Sequence, residues 1–286
     1  MKNVSWDAYE LFLQVARLGG LSGASGATGL SPATIGRRML DLEEAIGRPL
    51  FSRSRTGYQL TADGTALFSQ LVEMEGIARR VESWKQEGVG TLVRIACGTW
   101  LAWMLTRNLA DIRTERDEFR LDFFIAERRA SLAHRESDIG IRAFEPEEPN
   151  LAAIKLGEVA YAAYRARNAH PSVAERWLAV SEEDAISNYL LWPHQERAGQ
   201  IAVTVNRPRS LRDLALGGAG TAVLPCFVGD QDMRLERVGD EIDSLRHRQW
   251  LVMNNDDRHR REIRTVADRM VKFVKDRARL FAGQRP

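Results

Sequence analysis

The segment LSPATIGRRMLDLEEAIGRPLF, residues 30–51, carries the most informative pattern in this chain. Ser31 is a good N-cap and Pro32 suits a first turn, so a helix is predicted to begin here and to end at Gly47. Its apolar residues recur at helical spacing and predict a buried face of Ile35, Met39, Leu42 and Ile46. The opposite face carries hydroxyl, guanidinium and carboxylate groups from Thr34, Arg37, Arg38 and Asp41. Such a helix can pack on one side and meet DNA base edges with its first turns.

The segments on either side of this helix complete a larger motif. Two helices are predicted before it, at Trp6–Arg17 and at residues 22–28. After it, Leu50 and Phe51 lead into a predicted hairpin with a basic tip. This order indicates a helix-turn-helix followed by a wing.

Seven residues of this motif are predicted to lie at an interface with double-stranded promoter DNA. The predicted groove contacts are Thr34, Arg37 and Arg38. Contacts with phosphates or the minor groove are predicted for Ser31, Arg53 and Arg55, with Pro32 beside them at the helix start. The 41 basic and 39 acidic residues give a net charge of only +2, so DNA binding must come from such local patches.

The ordered set of residues resembles the winged helix-turn-helix of LysR-type transcriptional regulators. The matching positions are residues 30–43, then Gly47, Leu50, Phe51 and Arg53, then Gly57, Leu60, Thr61 and Gly64. Gly36 stands where the family usually has Ser, and Pro32-Ala33 stands where Gln-Pro is common. Ser25 and Thr28 replace apolar or Ala positions on the second helix. These departures affect base preference and local stability and leave the expected fold unchanged.

The helix that follows the wing is expected to carry a dimer seam. Thr61 can cap it, and its apolar residues alternate steps of four and three: Leu67, Leu71, Met74, Ala78 and Val81. The alternative is a helix packed on its own domain. We favour the seam because a long helix that leads into a linker has little surface of its own domain to cover. The family resemblance implies the same linker helix, and self-association as a dimer or tetramer.

Beyond the polar, glycine-bearing break at residues 86–91, short β-rich runs alternate with helical stretches. This alternation is typical of a parallel sheet built from βαβ units. Strands are predicted at Leu92–Cys97, Arg120–Ile125, 138–142, 190–192, Ile201–Val205, 221–224 and 249–253. A final helix is predicted at 260–281, with one apolar stripe formed by Ile263, Val266, Met270, Phe273 and Val274. The layout of two subdomains with a cleft, together with residues 138–142, 170–171 and 218–225, resembles the periplasmic-binding-protein-like effector domain of the same family.

Ligands of open α/β sheets bind beyond the carboxyl ends of the strands. Thr99 opens a helix there, and its hydroxyl and nearby N–H groups suit an anion, although it could be only an N-cap. The other predicted effector-binding residues follow strand ends or supply apolar walls: Trp100, Glu127, Arg128, Arg142 and Trp192. A small anionic effector is therefore expected.

The predicted fold class is α/β overall, in three parts. A winged helix-turn-helix DNA-binding domain covers residues 1–64, and a dimerisation helix with its linker covers residues 65–90. A two-subdomain effector domain covers residues 91–286, with subdomain I at 91–160 and 250–286 and subdomain II at 161–249.

Several other functions are disfavoured by the sequence. The five His residues lack metal-ligand spacing, residues 216–220 lack the Lys-Ser/Thr ending of a phosphate loop, and no Gly-x-Ser-x-Gly elbow exists. We therefore expect no enzyme, no metal and no cofactor. The alternatives are a constitutive DNA-binding regulator with a vestigial cleft, and an enzyme with an appended winged helix.

Cysteine content and hydropathy bear on where the protein works. Cys97 and Cys226 are too few and too far apart for a disulfide framework, and we expect inert thiols, with a redox switch as the alternative. No apolar run reaches the roughly 18 residues of a membrane span. Residues 1–10 include Asp7 and Glu10 and lack the apolar stretch of a signal peptide. A cytoplasmic protein without a membrane partner is expected.

Overall fold

The computed structural model describes residues 4–54, 57–85, 91–127, 137–173 and 175–285. These residues form two compact units, one that ends at residue 85 and one that begins at residue 91. Each unit has its own hydrophobic core. Among the described residues, no helix combines the length and the apolar character needed to cross a bilayer.

The N-terminal unit is a winged helix-turn-helix, as the sequence predicts. Its elements are α1 (Trp6–Arg17), α2 (Leu21–Thr28), α3 (Pro32–Ile46), β1 (Phe51–Ser54), β2 (Gly57–Leu60) and α4 (Ala62–Lys85). The Ser31 side chain accepts a hydrogen bond from the Thr34 N–H at 3.1 Å, which caps α3. Gly47 ends α3 with φ of 75°, a left-handed conformation that glycine adopts without a steric penalty. β1 and β2 pair antiparallel as the wing.

The two predicted faces of α3 are confirmed. Ile35, Met39 and Leu42 are buried in the core of this unit, next to residues of α1 such as Phe12. On the opposite side, the residues that the sequence assigns to DNA are exposed: Ser31, Pro32, Thr34, Arg37 and Arg38.

Hydrogen bonds of the Glu43 and Thr61 side chains connect the end of α3 with the wing and with the start of α4. The Glu43 carboxylate accepts hydrogen bonds from the N–H groups of Leu50 and Phe51, at 2.7 and 3.0 Å. The Thr61 hydroxyl accepts from the Gly64 N–H at 2.9 Å and lies 2.7 Å from the Pro49 carbonyl, to which it donates. The wing therefore starts at a position defined by α3.

The first turn of α4 lies directly against the start of the wing at Gly64. A Cβ atom at this position would come within 2.0 Å of the Leu50 carbonyl oxygen, which belongs to the backbone and cannot swing aside. Gly64→Ala is therefore expected to destabilise the unit by about 3 kcal/mol, the upper end of what overpacking costs. Thermal unfolding of the full-length protein measures the change.

Gly26→Ala is the matched control for this substitution. Gly26 lies inside α2, and a Cβ there meets no atom within 4 Å. Alanine has a higher helix propensity than glycine, so this variant is expected to gain about 0.5–1 kcal/mol of stability. Equal stability of the two variants would contradict the close approach at Gly64.

The structure corrects the predicted dimer seam on α4. Leu71 is buried in the core of its own unit, so the seam prediction is wrong for this residue. The reason is that α4 begins by packing on α1, and the Arg17 guanidinium pairs with the Glu75 carboxylate at 2.7 Å. Leu67 is only partly buried against that core and stays a candidate for the seam. Met74 is 49% exposed and remains a candidate for the seam. The side chains of Ala78 and Val81 lie outside the described residues.

The C-terminal unit contains two five-stranded sheets. The elements of the first sheet and its helices are β3 (Leu92–Cys97), α5 (Thr99–Arg107), α6 (Leu109–Ile112), β4 (Arg120–Ile125), β5 (Ile139–Arg142) and β6 (Leu151–Val159), completed by β12 (His247–Asn254) from near the chain end. The strand order is β4-β3-β5-β12-β6. β3 runs parallel to both β4 and β5, so the carboxyl ends of these three strands meet at one edge.

The second sheet is formed by the chain between β6 and β12. Its elements in chain order are β7 (Tyr161–Ala166), β8 (Trp177–Val180), α7 (Asn188–Glu196), β9 (Ile201–Val205), α8 (Pro208–Leu216), β10 (Thr221–Pro225), α9 (Cys226–Gly229) and β11 (Leu235–Glu241). The strand order is β11-β7-β10-β8-β9. The chain thus crosses between the sheets twice, after β6 and again before β12. The final helices are α10 (Arg261–Asp276) and α11 (Ala278–Phe281), and the predicted apolar stripe of α10 is buried.

One predicted strand in this unit is wrong. Residues 190–192 lie in α7, and the neighbouring strand of the sheet is β8, which the sequence analysis did not identify. The strands β6, β7 and β11 were missed as well. A short apolar run without clear periodicity is compatible with a buried strand and with a buried helix, and packing decides between them.

Candidate functional site

The first candidate site is the exposed face at the start of α3. The Ser31 and Thr34 hydroxyl groups lie 2.8 Å apart and are hydrogen-bonded to each other. The guanidinium groups of Arg37 and Arg38 follow within the next turn, on the same exposed side. A helix N-terminus with hydroxyl and guanidinium groups on one face is suited to bases and phosphates of a duplex.

The other two predicted DNA contacts, Arg53 and Arg55, belong to the wing segment. Arg53 belongs to β1, but its side chain lies outside the described residues, as does all of Arg55. Their contacts with DNA stay predictions from the sequence.

The second candidate site is a cavity of about 600 Å³ in the C-terminal unit. One wall is formed by the carboxyl ends of β3, β4 and β5 from the first sheet, and the other by β7, α7 and α9 of the second. Four of the predicted effector-binding residues lie together in its lining: Thr99, Trp100, Glu127 and Arg142. Its size is that of a small-molecule site.

Two of the predicted effector-binding residues, Trp192 and Arg128, are not among the described residues that line the cavity. Trp192 does not contribute to the cavity wall. It lies on α7, where its ring is 5.5 Å from the ring of Trp177 and beneath the Arg197 guanidinium. The prediction for Trp192 is wrong because it assumed that residues 190–192 form a strand that ends at the cleft. Arg128 lies outside the described residues.

Glu127 occupies the position at which the sequence analysis expected an anionic ligand. Its carboxylate accepts a hydrogen bond from the Thr99 N–H at 3.0 Å, at the first residue of α5. The preceding residue, Gly98, has no side chain that could cap the helix. The glutamate at the end of β4 therefore caps α5 across the edge of the sheet and satisfies the positive end of its dipole.

The same carboxylate also reaches the second sheet. The Ser187 hydroxyl, at the N-cap position of α7, lies 3.4 Å from the other carboxylate oxygen of Glu127. Glu127 thus contacts both walls of the cavity.

Arg142 is a buried cation that already has a carboxylate partner. Its side chain is 5% exposed, and one guanidinium nitrogen donates to Glu148 at 3.0 Å. Its Nε atom has no hydrogen-bond partner among the residues that the structure describes. The charge of Arg142 is therefore balanced by Glu148, and its buried Nε atom presents no exposed donor to the cavity.

An aromatic group closes the cavity on the side of the second sheet. The rings of Tyr161 and Tyr189 stack with centroids 5.0 Å apart, and the His247 ring lies 5.7 Å from Tyr161. Burial raises the pKa of both tyrosines, and the negative charge of Glu127 raises it further. Burial lowers the pKa of His247, so the imidazole is neutral at pH 7.

Three residues of the lining carry polar atoms that are fully buried. Trp100 Nε1, the Tyr189 hydroxyl and the Gln249 side-chain oxygen have no hydrogen bond of normal geometry in the described part of the chain. Trp100 and Glu127 are the polar neighbours of the Tyr189 hydroxyl. These atoms lie behind the cavity surface, so they present no open position to a ligand.

Both cysteines are buried, and their chemistry is that of inert thiols. Burial raises the pKa of Cys97 to about 12, with a contribution from the charge of Glu127. Burial also raises the pKa of Cys226 to about 11. Because the thiolate is the reactive form, neither side chain is suited to a redox switch at neutral pH.

Comparison with known proteins identifies the family to which both units of the chain belong. Residues 6–65 match the model of the bacterial regulatory helix-turn-helix protein, lysR family. Residues 86–275 match the model of the LysR substrate binding domain. The chain belongs to the LysR family. It is a transcriptional regulator that binds DNA and carries an effector-binding domain, and it is not an enzyme.

Individual LysR-type proteins show the extent of the similarity. The transcriptional regulator CrgA of Neisseria meningitidis is 26% identical over 239 residues, which is 78% of this chain and 80% of that protein. The Mau operon transcriptional activator of Paracoccus denitrificans is 25% identical over 249 residues, covering 82% of this chain and 86% of its own length. The crystal structure of CbnR, a LysR family regulator, shares the fold with a TM-score of 0.56 at 15% identity, over 95% of this chain and 99% of that one.

Sequence reasoning missed four residues of the cavity. Tyr161, Ser187 and Tyr189 come from the second sheet and the start of α7, and His247 comes from β12 of the first sheet. The dipeptide Ser187-Asn188 is a possible helix start and could have indicated α7 in place of a strand. No comparable local signal marks Tyr161 or His247, because they meet only through the two crossovers between the sheets.

Proposed function

We propose that this LysR-type regulator reads its promoter with the first turns of α3 and responds to a small molecule bound in the cavity of its C-terminal unit. The observation that carries the first part is the division of α3 into two faces. Ile35 and Met39 are buried, while Thr34, Arg37 and Arg38 are exposed beside them. Promoter DNA is the partner, and we propose the bacterial cytoplasm as the compartment.

The chemistry of the exposed residues supports different roles. A guanidinium group can donate two hydrogen bonds to a guanine edge in the major groove, which suits Arg37 and Arg38 to base recognition. The Ser31 hydroxyl lies at the helix N-terminus, where phosphate contacts set the position of a recognition helix. The Thr34 hydroxyl joins the two arginines as a groove contact in this proposal. The wing arginines Arg53 and Arg55 add phosphate or minor-groove contacts in this proposal.

The cavity supports an effector-controlled regulator over a constitutive one. Its lining combines aromatic rings with a few charged side chains, Glu127 and Arg142 among them, which is the character of a ligand site. A ligand that contacts both sheets can favour one arrangement of the two subdomains over another. It shifts the population only by its difference in affinity for the two arrangements.

Arg37→Ala tests the assignment of α3. We expect specific binding to weaken by about 1–3 kcal/mol, the contribution of one bidentate contact with a base. The measurement is a gel-shift titration at fixed salt, with promoter fragments that the wild-type protein selects from its native genome. Binding to unrelated DNA is expected to change much less, because base contacts carry the sequence information.

Arg264→Ala is the matched control, because Arg264 is an exposed arginine on the C-terminal helix α10. This variant is expected to bind the selected fragments like the wild type. If Arg37→Ala also bound them like the wild type, α3 would not be the reading helix as we assign it.

A further inference from the structure

We propose that Glu127 makes the cavity selective for a cationic ligand, a small molecule with a protonated amine or an amidinium group. The inference rests on the proposed function of the cavity as the effector site. It replaces the anionic effector that the sequence alone suggested.

The first step is that the anion position at the start of α5 is already filled. The Thr99 N–H, which would receive a ligand carboxylate, donates to Glu127 at 3.0 Å. A second carboxylate at this point would lie beside the first in a partly buried site. Two like charges at such a distance repel strongly, so an anionic ligand is disfavoured there.

The second step is that the charge of Glu127 is not balanced by a cation among the described residues. Its two hydrogen-bond donors, the Thr99 N–H and the Ser187 hydroxyl, are both neutral. An ionised carboxylate has about four lone-pair positions, so Glu127 keeps acceptor capacity for a ligand.

The third step is that the cations in the lining have carboxylate partners. Arg142 is paired with Glu148 at 3.0 Å. Arg246 is paired with Glu241, and with Glu158 at 3.5 Å. Among the charged side chains of the described lining, Glu127 is therefore the one without an oppositely charged partner in the described residues.

The fourth step is that the lining near Glu127 is aromatic. The stacked rings of Tyr161 and Tyr189 offer aromatic surface close to the carboxylate, and aromatic faces attract cations. A protonated amine that binds the Glu127 carboxylate therefore has aromatic carbon beside it.

The test uses three probes of one shape with different charge, namely benzylammonium, benzyl alcohol and benzoate. Each is titrated against the full-length protein, and binding is followed by the thermal midpoint and by calorimetry. We expect wild-type protein to bind benzylammonium best and benzoate least.

Glu127→Gln removes the charge and keeps the shape of the side chain. This variant is expected to bind benzylammonium about tenfold more weakly, to bind benzyl alcohol unchanged and to bind benzoate better. Glu115→Gln is the matched control, because Glu115 is an exposed carboxylate outside the cavity lining. Its affinities are expected to equal those of the wild type.

Three results would overturn the proposal. They are tighter binding of benzoate than of benzylammonium by the wild type, an unchanged benzylammonium affinity in Glu127→Gln, and no benzylammonium binding at millimolar concentration. If Glu127→Gln does not fold, the order of the three probes on the wild type decides alone. Preference for benzoate would leave the proposed function intact, since that function needs only a small-molecule ligand and its DNA part is tested through Arg37.

Discussion

Leu71→Glu is expected to unfold the N-terminal unit and to abolish promoter binding. Leu71 is 2% exposed and packs in the core formed by α1, α3 and the wing. A carboxylate at this position has no cation beside it in the described core, and an uncompensated buried charge costs about 3–5 kcal/mol. A loss of this size is a large fraction of the stability of a small domain.

Met74→Glu, one turn further along α4, is the matched control. Met74 is 49% exposed, so the new carboxylate stays in water and the unit is expected to remain folded. Calorimetry of the full-length protein and limited proteolysis of the N-terminal unit measure the difference. Light scattering on Met74→Glu tests the remaining part of the seam prediction, because a charge in a dimer seam would lower the molar mass.

A Leu71→Glu protein with wild-type stability would contradict the packing of α4 on its own unit. A Met74→Glu protein that keeps the wild-type molar mass would remove Met74 from the seam.

Arg237→Leu is expected to destabilise the C-terminal unit by about 3–5 kcal/mol. The Arg237 side chain is 8% exposed and pairs with Asp230, which is 6% exposed. It also donates to the Tyr164 hydroxyl at 3.1 Å and to the Gly283 carbonyl at 2.7 Å, so it ties the second sheet to the end of the chain. Removal of the guanidinium leaves the Asp230 carboxylate buried without its cation, which is the costly case for a buried ion pair.

Arg234→Leu applies the same substitution three residues earlier. Arg234 pairs with Asp232 at 2.8 Å, but its side chain is 72% exposed. Exposed ion pairs contribute little to stability, and Asp232 keeps Arg212 as a second partner, so this variant is expected to resemble the wild type. Urea unfolding of both variants gives the comparison, and similar losses would show that burial of the Arg237 pair is not what stabilises the fold.

The N-terminal fold was predictable because its signals are local. Ser31 and Gly47 mark the ends of α3, and the spacing of Ile35, Met39 and Leu42 defines its buried side. Each of these signals depends on residues within a few positions of one another, which a single sequence displays directly. The same holds for α10, whose apolar stripe predicts its buried face.

The seam on α4 shows where local spacing stops being informative. Steps of four and three between Leu67, Leu71 and Met74 are compatible with a partner helix and with α1 of the same chain. The periodicity predicts that one side of the helix is buried. It does not indicate whether a partner helix or α1 of the same chain buries it. Only the packed structure shows that α1 covers the first half.

The cavity of the C-terminal unit also combines contacts that the sequence predicts with contacts that only the structure shows. The sequence alone places Thr99, Glu127 and Arg142 at strand ends, and it is right that they meet, because parallel strands bring their carboxyl ends to one edge. It could not show that the Glu127 carboxylate bonds to the Thr99 N–H, since these residues are 28 positions apart. Nor could it place Tyr161 and Tyr189 opposite them. Those contacts depend on how two sheets face each other, and that arrangement is set by long-range packing, for which no short stretch of sequence carries a signal.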